Sequence, residues 1–192
     1  MGIFEVETKF GVTEAQVQKA IKRLMNKGGT KIQSVTQEDI YYGHPMRAFA
    51  ETDEALRIRY QLPETEEKRN DTPVIELTYK GPKVDEKSKT RLELSVNIDN
   101  RERSEAILLA LGFKRVRTVR KEREYYRLGE IHFSVDRVEG LGLFIELETE
   151  VRQESRIEEK RNLLLELAEN LGLDMDKSTR LSYLELLISQ EY

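Results

Sequence analysis

Residues 4–10 read FEVETKF, with Phe4, Val6, Thr8 and Phe10 alternating with Glu5, Glu7 and Lys9. Successive side chains of an extended strand point to opposite faces, so this segment presents one largely apolar face and one ionic face. The pattern recurs along the chain. In 55–61, Leu56, Ile58 and Tyr60 alternate with Arg57 and Arg59; in 74–80, Ile75, Leu77 and Tyr79 alternate with Glu76, Thr78 and Lys80. In 90–97, Leu92, Leu94 and Val96 alternate with Arg91, Glu93 and Ser95, and in 143–149 Ile145 and Leu147 alternate with Glu146 and Glu148. Strand 131–138 places His132, Ser134 and Asp136 on one face and Ile131, Phe133 and Val135 on the other, whereas 115–126 carries charge on both faces.

An antiparallel sheet with helices on one side and water on the other also yields charged alternation. A solvated face, however, ordinarily mixes Thr, Ser, Gln and Asn with its charges, and this one is dominated by Arg, Lys, Glu and Asp. Eight such strands curled into a closed barrel would turn the ionic faces inward and leave the apolar faces for helices outside. Buried charge is costly unless it is paired or binds something. A lumen rich in both acids and bases therefore suits a ligand that is highly anionic and metal-bound. Arg and Lys would clamp phosphate oxygens while carboxylates hold a hard cation.

The helices are written as plainly. Thr13 and Gln16 form a capping-box pattern, Val12 and Val17 a hydrophobic staple, and Val17, Ile21, Leu24 and Met25 one apolar stripe that stops at Gly28-Gly29. A second helix over ERSEAILLALG ends at Gly112, and two more are predicted at 153–171 and 177–190, the last capped by Ser178 or Thr179. PETEEKRNDTP and GPKVDEKSK read as polar loops, the second Lys-rich. The expected architecture is an α+β domain spanning residues 1–192, an eight-stranded antiparallel closed barrel with helices packed outside.

At 192 residues the chain can bury a substantial core. A net charge of only −4 argues against a general nucleic-acid or membrane-surface binder, and the basic residues of KRVRTVRKER fall on both faces of one strand. The absence of cysteine excludes disulfides, zinc–thiolate sites and thiol nucleophiles. No stretch approaches the roughly 20 apolar residues of a membrane span, so a cytoplasmic protein with no membrane partner is expected. The apolar outer faces or the C-terminal helices could support a homodimer.

Glu5-Val6-Glu7-Thr8-Lys9 resembles the ExExK signature of the CYTH superfamily, the triphosphate tunnel metalloenzymes, and later elements follow in the family's order: LRIR, TYKGP, RLELS, KEREYY and VDRVEGLGLFIELE. The last of these and the terminal SYLELL are most similar to the class IV (CyaB-type) adenylyl cyclase branch. The resemblance implies metal-binding carboxylates at Glu5, Glu7, Glu146 and Glu148, assisted by Asp136. It implies a phosphate clamp of Lys9, Arg57, Arg59, Lys80, Arg91, Lys121 and Arg123, with Lys9, Arg59, Lys121, Arg123 and Asp136 nearest the chemistry. It also points Lys121 and Arg123 inward and Arg120 and Glu122 outward, and sets Glu76 and Glu93 on the inner face to orient cations.

Glu5 and Glu7, about 6–7 Å apart along their strand, are expected to face Glu146 and Glu148 across the tunnel and to bind Mg²⁺ or Mn²⁺. In a cyclase the ribose 3′-hydroxyl of ATP would attack the α-phosphorus and expel pyrophosphate. In a triphosphatase water would attack a terminal phosphorus of inorganic, thiamine or nucleoside triphosphate. A module that only binds nucleotide or polyphosphate is the third possibility, disfavoured by so many carboxylates. Tyr41, Tyr42 and Phe49 are candidates to stack on a base, against the commoner role of core filling. His132 is expected to be structural or orienting, and no His/Ser pair suggests covalent catalysis.

Overall fold

The alternation written into the strands resolves as a closed barrel in a computed structural model that describes residues 3–64, 72–84 and 88–190. The strands are β1 (Ile3–Val12), β2 (Thr30–Gly43), β3 (Ala55–Pro63), β4 (Val74–Lys83), β5 (Arg91–Asn97), β6 (Lys114–Leu128), β7 (Ile131–Val138) and β8 (Gly142–Val151). The helices are α1 (Glu14–Asn26), α2 (Phe49–Thr52), α3 (Arg101–Ala110), α4 (Ile157–Leu171) and α5 (Tyr183–Ser189). Around the barrel the order is β1-β5-β4-β3-β2-β6-β7-β8, every neighbouring pair antiparallel. Two meanders, β2 to β5 and β6 to β8, meet along β2 and β6, and β1 closes the ring between β5 and β8. The β7–β8 turn contains Gly140 at φ 77° and Gly142 at φ 95°, a left-handed backbone that only glycine adopts without strain.

Closure at β1 is uneven. β1 pairs with β8 over nine residues, Phe4↔Val151 to Val12↔Leu143, but with β5 only from Ile3↔Glu93 to Glu5↔Arg91. Beyond that point other segments complete the seam. The Lys89 N–H donates to the Glu7 carbonyl at 3.0 Å and the Thr179 N–H to the Lys9 carbonyl at 2.9 Å, while Ser178 forms an isolated bridge with Phe10.

Apolar side chains gather in three places. Outside the barrel, α1 and α4 cover β1, β7 and β8, where Val6, Phe10, Phe133, Ile145 and Leu147 pack with Val17, Leu24, Leu164 and Leu171. A second outer cluster sets Leu108 of α3 against Ile40, Tyr42, Ile58 and Ile75. The third lies at one end of the lumen, where Tyr41, Val119, Val138 and Phe144 meet Tyr183 and Leu187 of α5. The barrel interior is thus ionic along most of its length and plugged by apolar residues at one end.

The eight predicted strands and the Thr13/Gln16 capping box are all present. The C-terminal helix differs from expectation. It begins at Tyr183 rather than near 178, capped by a Ser182/Glu185 box, after a 3₁₀ turn at Met175–Lys177. The backbone at 178 and 179 is already pairing with β1, so it cannot enter a helix. The expected helix at 153–171 opens with a 3₁₀ turn, Glu154–Arg156, and becomes α-helical at Ile157; it ends at Gly172, φ 80°. The single turn of α2 was not legible as a helix. Of the two predicted polar loops, residues 65–71 and 85–87 lie outside the described residues. No helix among the described residues is long and apolar enough to cross a membrane.

Leu164 is fully buried where α4 meets the barrel. Leu164→Ala is expected to lower the unfolding free energy by about 2–5 kcal/mol, read from urea denaturation followed by circular dichroism.

Candidate active site in the charged lumen

The two-residue strand period delivers every expected site residue except Asp136 to the wall of one cavity of about 1080 Å³. Glu5, Glu7 and Lys9 come from β1, Arg57 and Arg59 from β3, Lys80 from β4, Arg91 from β5, Lys121 and Arg123 from β6, and Glu146 and Glu148 from β8. The doubly charged strand β6 resolves as expected, with Lys121 and Arg123 buried and Arg120 and Glu122 exposed.

The acids do not face one another across the tunnel. β1 and β8 are neighbours, and the register sets Glu7 beside Glu148, Lys9 beside Glu146 and Glu5 beside Glu150. The carboxylates therefore stand together on one wall. β2 lies four strands from β1 in either direction, and the opposite wall of β3, β2 and β6 carries Arg57, Arg59, Lys121 and Arg123.

Most of these charges are paired. Arg59 donates to both Asp39 oxygens at 2.6 and 2.7 Å, and Arg57 reaches Asp39 at 3.4 Å and Glu76 at 3.5 Å. Burial alone would raise the Asp39 carboxyl, but Arg59 and Arg57 outweigh it and hold it far below the usual carboxylate range. Lys80 bonds Glu93 and lies 3.4 Å from Glu5, so Glu76 and Glu93 orient cations as expected. Arg91 contacts Asp53 at 3.6 Å.

Lys9 is enclosed by Glu146 at 3.0 Å, the Leu181 carbonyl at 3.3 Å and the Tyr183 ring at 3.7 Å. Burial, with repulsion from Lys89, lowers its amine to about 8 despite Glu146 and Glu7. Burial and the neighbouring Arg123 bring Lys121 down to about 7.

Asp136, expected among the metal carboxylates, sits in a closed knot behind the cavity wall. Its side chain is wholly buried, and it accepts from Arg123 through both oxygens, from Lys121 at 3.3 Å and from the Tyr183 hydroxyl at 2.7 Å. With both oxygens engaged, it positions Lys121 and Arg123 and does not line the cavity.

Two charges are left under-satisfied. Glu148 forms no ion pair among the described residues, and burial together with the nearby Glu5 pushes its carboxyl up to about 8. Across the lumen, the buried Arg57 Nε has no hydrogen-bond partner among the described residues. Among the described residues no three carboxylate or imidazole ligands converge on a preformed metal cage. An all-oxygen set of Glu5, Glu7 and Glu148, one of them without a counterion, nevertheless fits a hard divalent cation that completes its shell with water and phosphate oxygens.

Three residues of the site were missed in the sequence. Asp39 shares its strand face with Gln37 and Tyr41, a weaker ionic pattern than the Arg and Glu pairs of other strands. Lys89 continues the alternation of Arg91 and Glu93 one step earlier, beyond the predicted start of that strand, and its ammonium bonds both Glu7 oxygens. Tyr183 belongs to the SYLELL stretch, whose place against the lumen depends on the seam. The aromatic candidates all line this cavity and also pack: Tyr42 is buried and donates to Glu105 at 2.9 Å, Tyr41 is part of the apolar plug, and Phe49 packs with His44 and Tyr79. His132 is exposed at the end of β7, in register with Glu148.

The chain matches the CYTH domain over residues 4–183. It is 42% identical over 187 residues to a Methanocaldococcus jannaschii protein named as a candidate adenylate cyclase, covering 96% of this chain and 98% of that one. It is 28% identical over 183 residues to the adenylate cyclase CyaB of Aeromonas hydrophila, covering 95% and 87%. The solved structure of a Pyrococcus horikoshii OT3 protein, 41% identical, covers 97% of this chain and 99% of its own with a TM-score of 0.87.

The raised Glu148 carboxyl links protonation to folding. Because its folded-state pKa of about 8 exceeds the ordinary carboxyl value of 4.5, the folded state binds the extra proton between those values. The corresponding stability is complete below pH 4.5 and is lost as pH rises through 8. Glu148→Gln is therefore expected to gain stability relative to wild type between pH 5 and 9, measured by urea titration; parallel pH profiles would refute the assignment.

Proposed function

The chain belongs to the CYTH domain family, and from that premise we propose a metal-dependent enzyme that converts ATP to cyclic AMP and pyrophosphate. The observation that carries this reading is the division of charge in the lumen. Glu5, Glu7, Glu146 and Glu148, the last without an ion pair among the described residues, stand on the β1/β8 wall with Lys9 and Lys89 among them, and Arg57, Arg59, Lys121 and Arg123 stand on the wall opposite. A polyanion alone would be served by the basic wall and repelled by the other. A triphosphate carrying a divalent cation complements both.

In this reading Glu5, Glu7 and Glu148 hold Mg²⁺ or Mn²⁺, with Glu146 beside them keeping Lys9 in place. The bound cation supplies neutralisation of charge on the phosphate oxygens and on departing pyrophosphate. Arg57, with its buried Nε unpartnered, and Arg59 receive phosphate oxygens from the opposite wall, together with Lys80 and Arg91. Lys121, brought to about 7 by burial and by Arg123, would take up a proton as the anion enters and so add positive charge where phosphate is bound. Arg123, fixed by Asp136 and Glu146, stays charged throughout and offsets the negative charge that grows in the transition state. The cavity volume of about 1080 Å³ leaves room for nucleoside as well as triphosphate, and the related proteins named above as adenylate cyclases favour attack by the ribose hydroxyl over attack by water.

Incubation with ATP, inorganic triphosphate and thiamine triphosphate, each with Mg²⁺ or Mn²⁺, tests the proposal when cyclic AMP, pyrophosphate and phosphate are resolved. Cyclic AMP with equimolar pyrophosphate is expected from ATP. Phosphate release alone would make the protein a triphosphatase, and tight binding without product a sensor. Glu7→Gln and Glu148→Gln are each expected to lower kcat by about 100-fold or more while retaining the wild-type circular dichroism spectrum.

A further inference from the structure

Lys89 belongs to none of the eight strands, yet it is buried, and its position differs in kind from that of the other lumen cations. Its main chain completes the β1–β5 seam through the hydrogen bond to the Glu7 carbonyl. Its Nζ then folds back onto the same residue and donates to Glu7 Oε1 at 2.7 Å and Oε2 at 2.9 Å. Lys9 approaches Glu7 only to 3.8 Å and is committed to Glu146. Lys80 is shared between Glu5 and Glu93. Both oxygens of the second ExExK glutamate are thus occupied by one ammonium group. Burial alone would lower the Lys89 amine, but Glu7 and Glu146 outweigh it and keep it protonated.

We propose that Lys89 is a resident counterion that occupies Glu7 until a triphosphate draws it away, so that divalent-cation loading of Glu7 depends on bound phosphate. The inference rests on the metal role given to Glu7 above. A divalent cation approaching Glu7 in the absence of anion meets an ammonium already bonded to both acceptor oxygens, in a lumen where like charges repel more strongly than in water. An entering triphosphate offers that ammonium several new acceptors. The lysine stem is long and has several rotatable bonds, so Nζ can transfer to phosphate while the backbone stays pinned by the seam bond and by the neighbouring Ser88–Thr90 hydroxyl contact at 2.6 Å. Glu7 is then released at the moment when phosphate oxygens are present to complete a metal shell. Such an order would keep metal from lodging on the acidic wall without substrate.

A purely structural salt bridge predicts something different: loss of Lys89 would weaken the fold and leave metal affinity unchanged or lower. Binding of Mn²⁺ to the intact chain, measured by equilibrium dialysis with the same Mn²⁺ and triphosphate concentrations on the protein-free side, separates the two. With Mn²⁺ alone, Lys89→Met and Lys89→Gln are expected to bind at least about tenfold more tightly than wild type. Lys89→Arg, which keeps the charge, should remain within about twofold of wild type. Adding Glu7→Gln to Lys89→Met should abolish the gain. Thermal melts by circular dichroism accompany each variant, and the Gln variant carries the comparison where Met does not fold.

Equal Mn²⁺ affinities in wild type and the neutral variants overturn the role of Lys89 while leaving the metal reading intact, provided Mn²⁺ binds with inorganic triphosphate present. No Mn²⁺ binding by any form, with or without inorganic triphosphate, overturns both. Failure of all three Lys89 variants to fold would make the Lys89–Glu7 ion pair a requirement of the fold and overturn its role as a displaceable counterion.

Discussion

Closing the barrel takes many acidic and basic side chains out of bulk water, and the desolvation of most of them is offset by a partner close by in the fold. Asp39 with Arg59, Asp136 with Arg123, Lys121 and Tyr183, and Glu146 with Lys9 are the pairs that make this tolerable. Removing one member of such a pair leaves a buried uncompensated charge, which costs far more than a surface ion pair contributes. The pairing works only in register, because a slip of one residue would send every inward charge to the outside and every outer apolar residue into the lumen. The outer clusters beneath α1, α4 and α3 therefore do more than stabilise the wall. They fix which face of each strand points in, and with it which acid meets which base.

The lumen is not self-sufficient in charge. Most acids have a base within bonding distance, but Glu148 has none among the described residues and is pushed toward its neutral form, while Arg57 keeps an unpartnered nitrogen on the far wall. A protein whose interior served stability alone would not retain such charges. The proposed ligand, a triphosphate carrying a divalent cation, would complement both walls at once. The knot around Asp136 plays the complementary part: its carboxylate is spent inside the wall, and in return Lys121 and Arg123 are held at fixed positions facing the cavity.

The C-terminal segment ties architecture to chemistry. Residues 178 and 179 pair with β1 where β5 has diverged, and this carries Tyr183 to the end of the lumen, against Lys9 and Asp136. A helix starting at 178, as capping preferences alone suggest, would give up those backbone bonds. Here a tertiary pairing overrides a local signal, since the β1 edge offers partners that an isolated helix turn cannot match. Lys89 reaches the site in the same way, through a segment that fills the open seam.

Much of the site was legible from the chain alone because strand parity is a local property. The alternation of Glu5, Glu7 and Lys9, of Arg57 and Arg59 and of Glu146 and Glu148 assigns each to one face whatever the strand's neighbours are. The inward set and the barrel follow from it, and the family resemblance settles the parity of Lys121 and Arg123, which both-sided charge had hidden. Strand order, by contrast, is decided by the seam between the first strand and the last, and no local pattern reports it. That is why Glu7 and Glu148 prove to be side by side rather than opposed, why Asp136 is enclosed rather than open to a metal, and why Lys89 rests on Glu7: sequence sets which way a side chain points, but only closure of the barrel sets what it meets.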